Sequence, residues 1–271
     1  MTLLSHSRRP AVSAVTAVLA AAALIFGSAA PAMAAPPSPP PVEKLVALGD
    51  SYAAGQGAGA PLDGCLRSTA AYPYQLDAEP KLNLLRLPAC SGATIEDVTN
   101  TQLSQVNKGT TLVTITAGAN DAGAGAVSAA CAPDPASFAC QQAAVAAFGV
   151  VTSGAIAEDL QSLITAVAER APRARIVVTD YPIPFEVGID PVGDGVNDLT
   201  ALLNAQIAAA VGQAAAGGAD VAYASVWAAF LDHQVGDAEP WLGANPNDPF
   251  TFLHPTPQGQ AVYAAAVLGA L

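Results

Sequence analysis

Short runs of Val, Ile and Leu alternate along this chain with longer stretches in which apolar residues recur at helical spacing. Residues 44–49 (KLVALG), 82–87, 111–116 (TLVTIT), 175–179 (RIVVT) and 220–225 read as strands. Their apolar runs are continuous rather than alternating, as expected of strands covered on both faces and hence of a parallel sheet. Helical stretches lie between them at 70–78, 94–106, about 141–170 with Glu158 and Asp159 on a polar face, and 197–216, which stops at Gly217-Gly218. A last helix opens at Thr256-Pro257, an N-cap followed by proline at the first helical position. This alternation predicts an α/β domain, a three-layer α/β/α sandwich around a five-stranded parallel sheet, with no internal repeat. In such sheets ligands bind beyond the carboxyl ends of the strands, so the residues that follow each strand are where chemistry is expected.

The pattern changes at the N-terminus. Arg8 and Arg9 precede an apolar stretch at about 11–26, and Ala32-Met33-Ala34 offers the small residues of a cleavage site. Residues 1–34 therefore read as a signal peptide and the protein as secreted. Residues 35–43 are a proline-rich extended spacer, and 44–271 form one domain. The 11–26 stretch is short for a membrane span, and the rest of the chain holds no run of 18 apolar residues free of Gly, Pro or charge.

Charge narrows the class of partner. Two of the ten basic residues leave with the leader while all 22 acidic residues stay, which moves the net charge from −12 to −14. Such a surface repels nucleic acid and anionic headgroups and favours solubility outside the cell. A monomer is expected. Much of the 52% apolar content is alanine. All four cysteines follow the leader, and an even number in an exported chain reads as two disulfides. Sequence distance favours Cys65–Cys90 and Cys131–Cys140 among the three possible pairings. No CxxC spacing occurs and only two histidines remain, so neither a metal nor a cofactor is expected.

The first strand ends in Gly49-Asp50-Ser51-Tyr52. A serine just past a buried strand, at the mouth of a helix, is placed for nucleophilic attack, and its own N–H faces a developing oxyanion. Taken alone, Ser51 is by default only an N-cap, and no G-x-S-x-G surrounds it. Asn120, in Gly118-Ala119-Asn120-Asp121 after the third strand, stands on the same rim and offers an amide donor, although alone it is a turn residue. Gly92, in Cys90-Ser91-Gly92-Ala93-Thr94 after the second strand, lets a backbone N–H approach a substrate closely. His254 directly precedes the C-terminal helix.

The four blocks GDSYAAG, ACSGAT, GAND and HPTPQG, in this order, resemble those of the SGNH-hydrolase superfamily and its GDSL esterases and lipases, and most closely the secreted actinobacterial branch. The likeness runs from Lys44 to Leu271. It implies the flavodoxin-like α/β/α fold and a cofactor-free serine hydrolase acting on small-molecule or lipid esters. It also implies Ser51 as nucleophile and His254 as base, with Ser51, Gly92 and Asn120 as the oxyanion hole. The branch carries three disulfides, of which the third is absent here. Many members place an aspartate three residues before the histidine; here that position is Thr251. The Thr251 backbone carbonyl is the expected histidine-orienting group, with the Asp248 side chain as the alternative. His233 is expected to brace a loop. Carbohydrate O-deacetylation, or a catalytically idle lipid- or carbohydrate-binding role, are the rival readings.

Overall fold

The computed structural model describes residues 41–271; the leader and most of the proline-rich spacer lie outside the described residues. The strands are β1 (Glu43–Gly49), β2 (Leu82–Arg86), β3 (Leu112–Thr116), β4 (Arg175–Thr179) and β5 (Val221–Ala224). They form one parallel sheet in the order β2-β1-β3-β4-β5, with Gly49 beside Thr116 at the carboxyl ends of the central pair. The helices are α1 (Ser51–Ala54), α2 (Tyr72–Asp77), α3 (Ile95–Asp97), α4 (Ala124–Cys131), α5 (Phe138–Ser153), α6 (Ala155–Arg170), α7 (Pro191–Ala216) and α8 (Pro257–Gly269).

Each strand feeds two cores, because successive side chains point to opposite faces. Val46, Leu48, Val113, Ile115, Ile176 and Val178 pack on α6 and α7 through Leu160, Ile164, Leu203 and Ile207. Leu45, Leu112 and Val177 face the other way, onto Tyr72 and Leu76 of α2 and Tyr263 and Val267 of α8. The result is the expected three-layer α/β/α sandwich. Helix α7 is long and apolar enough by composition to cross a membrane, but it buries Leu203, Ile207, Ala210 and Val211 in the first of these cores.

Helix α4 lies where no helix is expected, and three further stretches differ from expectation. The single helix over 141–170 is two, α5 and α6, bent by 55° at Gly154, whose φ of +87° interrupts the helix. The stretch over 94–106 opens as α3 with a Thr94–Asp97 capping box, then widens into a π turn at Val98–Gln102 and tightens into a 3-10 turn at Leu103–Gln105. Helix α7 starts at Pro191, not Asn197, because Asp190 caps it by accepting from the Gly193 N–H. The cysteines pair as Cys65–Cys90 and Cys131–Cys140.

Candidate active site

The site is assembled on the carboxyl ends of β1 and β3. Gly49 lies so close to the next strand that a Cβ there would sit 2.2 Å from the Thr116 carbonyl oxygen, and a buried glutamine holds it: the Gln102 amide accepts from Gly49 N–H and donates to Gly49 C=O, both at 2.8 Å. The π turn brings Gln102 to that position. Asp50 caps α1 by accepting from Tyr52 N–H at 2.9 Å. Ser51 is thereby the first helical residue, 8% exposed, and its N–H is among those with no intrahelical partner.

His254 arrives from the far end of the chain. Its Nε2 lies 3.0 Å from Ser51 Oγ, and its Nδ1 lies 3.0 Å from the carbonyl oxygen of Phe252. The expected acceptor, the Thr251 carbonyl, instead takes the His254 backbone N–H at 2.9 Å. The displacement by one residue has a local cause. Leu253 holds a φ of +60°, which turns the chain sharply and swings the Phe252 carbonyl under the ring. Tyr52 pins this turn, its hydroxyl donating to the Leu253 carbonyl at 2.5 Å. Asp248, the alternative, is engaged elsewhere: its carboxylate accepts from the Thr251 hydroxyl at 2.7 Å and the Phe250 N–H at 3.1 Å. Thr251→Ala and Asp248→Asn are accordingly expected to lower kcat by less than about tenfold each, against the roughly 10⁴-fold loss when a triad aspartate becomes asparagine. Steady-state kinetics on a soluble ester decide it, and a large loss in Asp248→Asn would restore the carboxylate to the site.

Burial without a carboxylate partner pushes the His254 imidazole down to about 4, the Phe252 carbonyl offsetting this only in part. Asp50 is pushed up to about 7 by complete burial, against the hydrogen bonds from the Tyr181 hydroxyl at 2.5 Å and from Tyr52 N–H. Tyr181 also accepts from Ala119 N–H at 3.3 Å, so one phenol ties the Ser51 turn to the Asn120 turn.

The turn that carries Gly92 and the turn that carries Asn120 are joined on the same rim. The Asn120 amide donates to the Ala93 carbonyl at 2.9 Å, leaving its second N–H free for another acceptor. Asp121 accepts from Ile95 N–H at 3.1 Å and locks the two turns together. Gly92 has a φ of +81°, and its N–H finds no acceptor among the described residues. The Cys65–Cys90 disulfide and the bond from Cys90 N–H to the Gly49 carbonyl at 3.0 Å hold this turn beside β1.

A glutamine directly after the GDSYAAG block, Gln56, completes the arrangement. Gln56 accepts from the Ser91 hydroxyl at 2.5 Å and donates to the Phe250 carbonyl at 2.9 Å, joining the Gly92 turn to the loop before His254. His233 stacks on Trp241 with ring centroids 3.5 Å apart and bonds the Glu239 carbonyl through Nδ1 at 2.9 Å, which makes it a loop brace.

Known proteins are similar to this chain in sequence and fold. The GDSL-like lipase/acylhydrolase family model matches residues 47–262. A lipase of Streptomyces coelicolor is 34% identical over 254 residues, spanning 90% of this chain and 91% of that one. Two solved structures, the extracellular lipase of Streptomyces rimosus and phospholipase A1 of Streptomyces albidoflavus, align with TM-scores of 0.76 and 0.77. Each is 30% identical to this chain, covering 85% of it and 100% of the solved one.

Proposed function

The chain belongs to the GDSL-like lipase/acylhydrolase family and is a carboxylic ester hydrolase; from this we propose that it is exported and cleaves acyl esters through a Ser51–His254 dyad. The observation that carries the reading is the continuous chain of contacts from Ser51 Oγ to His254 Nε2, and from His254 Nδ1 to the Phe252 carbonyl, both steps 3.0 Å. A carbonyl facing Nδ1 keeps the proton there, leaving Nε2 to accept the serine's hydrogen.

In the first half-reaction Ser51 Oγ bonds to the ester carbonyl carbon as its proton passes to Nε2. The carbonyl oxygen becomes an oxyanion, for which the Ser51 N–H, the Gly92 N–H and the free Asn120 N–H are the donors. The imidazolium then protonates the departing alkoxide and the ester C–O bond breaks, leaving an acyl-serine. Water, deprotonated by the same nitrogen, releases the acid and restores Ser51. A carbonyl stabilises the imidazolium less than a carboxylate does, so more of the barrier falls to the oxyanion donors.

Aliphatic acyl esters, including those of lipids, are the substrate class supported by the relatives, named as lipases and a phospholipase A1. Export is supported by the leader-like start, the two disulfides and the extracellular relative. A fluorophosphonate probe should label Ser51 and no other residue. A panel of p-nitrophenyl esters from acetate to palmitate, with phospholipid and acetylated xylan, ranks the acyl chains; activity confined to acetylated xylan would reassign the substrate to carbohydrate.

The pH profile follows from the histidine. The base works only as neutral imidazole, and burial disfavours its cation, so kcat/KM should stay level down to about pH 5 and fall through about 4. A limb near 6.5 that persists in Asp50→Asn would mean that burial does not hold the ring below its ordinary value.

A further inference from the structure

Helix α5 is apolar yet lies largely in solvent. It buries only Cys140, Ala147 and Val151, while Phe138, Val145 and Phe148 are 72%, 72% and 54% exposed. Their spacing of seven and three residues puts them in one line along the helix, away from the buried stripe. A surface helix ordinarily carries charge on such a face. This one carries none, and from Ala122 to Ala157 Asp134 is the one charged residue.

The hairpin that carries this face starts at the Asn120 turn. Helix α4 begins at the Asn120 turn itself, with Gly123 N–H bonded to Asn120 C=O and Ala124 N–H to Ala119 C=O, both at 3.0 Å. The Cys131–Cys140 disulfide closes α5 back on α4, and Gly154 then turns the chain into α6, which leads to β4. The hairpin thus springs from the carboxyl-end rim that carries Ser51 and Asn120.

We propose that the exposed face of α5 docks on an uncharged or zwitterionic lipid surface and presents the Ser51 rim to the acyl esters held there. The inference builds on the acyl-ester reading above. Charge selects this occupant. A second copy brings another strongly acidic surface, and an anionic membrane brings anionic headgroups, whereas a zwitterionic interface adds no net charge against the −12 of the whole chain. Aromatic and aliphatic side chains in one line, without charge between them, suit insertion at the boundary between headgroup and acyl chain.

The test separates binding from turnover. With Ser51→Ala as background, so that the lipid stays intact, the protein should co-sediment with phosphatidylcholine vesicles. The added triple change Phe138→Ser, Val145→Ser, Phe148→Ser should lower the bound fraction at least about tenfold. With Ser51 intact, the same triple variant should hydrolyse soluble p-nitrophenyl butyrate at the unaltered rate but lose activity on vesicles to a similar extent. Equal vesicle binding with and without the triple change overturns the proposal, as does an absence of binding by the parent. A dimer in sedimentation equilibrium that the triple change dissolves also overturns it, giving the face to a second copy. Vesicle binding lost in the triple variant, from a parent that hydrolyses no acyl ester, supports the docking face and counts against the substrate reading alone.

Discussion

Ser51→Ala is expected to abolish ester hydrolysis while leaving the fold intact. Among the described residues Ser51 Oγ hydrogen-bonds only the His254 ring, and the cap of α1 is made by Asp50 and the backbone, which the change does not touch. The hydroxyl is thus dispensable for folding and indispensable for an acyl-enzyme. Nucleophile and base act as one unit, so His254→Ala should cost about as much, on the order of 10⁶-fold in kcat, and the double variant no more than either alone. The measurements are kcat on a soluble p-nitrophenyl ester and a thermal melt for each variant. Retention of more than about a hundredth of the activity in Ser51→Ala would remove it as nucleophile. Losses that multiply in the double variant would mean that the two residues serve separate steps.

Asn120→Ala should lower kcat by about 100- to 1,000-fold with a much smaller change in KM, because an oxyanion donor is used chiefly in the transition state. The reserve of donors is small here: one N–H of the amide is spent on the Ala93 carbonyl, so only the second is left for the substrate. The variant also loses that structural bond, and a melt identifies any loosening of the Gly92 turn. A loss that fell on KM alone would make Asn120 a turn residue or a ground-state contact. Asn120→Asp is a sharper control, since it keeps the size of the side chain and places acceptors where a donor is needed; it should be at least as damaging.

The legible part of this molecule was the part governed by local rules. Strands buried on both faces are apolar throughout, and α5, α7 and α8 open on capping side chains, so the parallel sheet and most elements could be read from composition and period. Ser51, Gly92, Asn120 and His254 could be singled out as candidates because each follows a strand or precedes a helix within a short recognisable block. The two disulfides could be read from loop length. The break at Gly154 was missed, since a glycine within a long apolar helical stretch is compatible with either continuation or reversal and only the packing of α6 on the sheet chooses. Helix α4 was missed because Ala and Gly leave almost no periodic signal.

What the tertiary structure alone decided is the support of the histidine. The acceptor for Nδ1 depends on the reversed backbone at Leu253, and that reversal is held by a hydroxyl from Tyr52, 201 residues earlier in the chain. Gln56 reaches 194 residues to Phe250, Tyr181 reaches 131 residues back to Asp50, and Gln102 grips Gly49 across 53. Bonds from one side chain to a distant backbone or carboxyl group impose no period and no spacing on the sequence. They arise only once the sheet has brought the strand ends together, which is why the order of the chain singled out the candidates for the chemistry, and the fold determined what holds them in place.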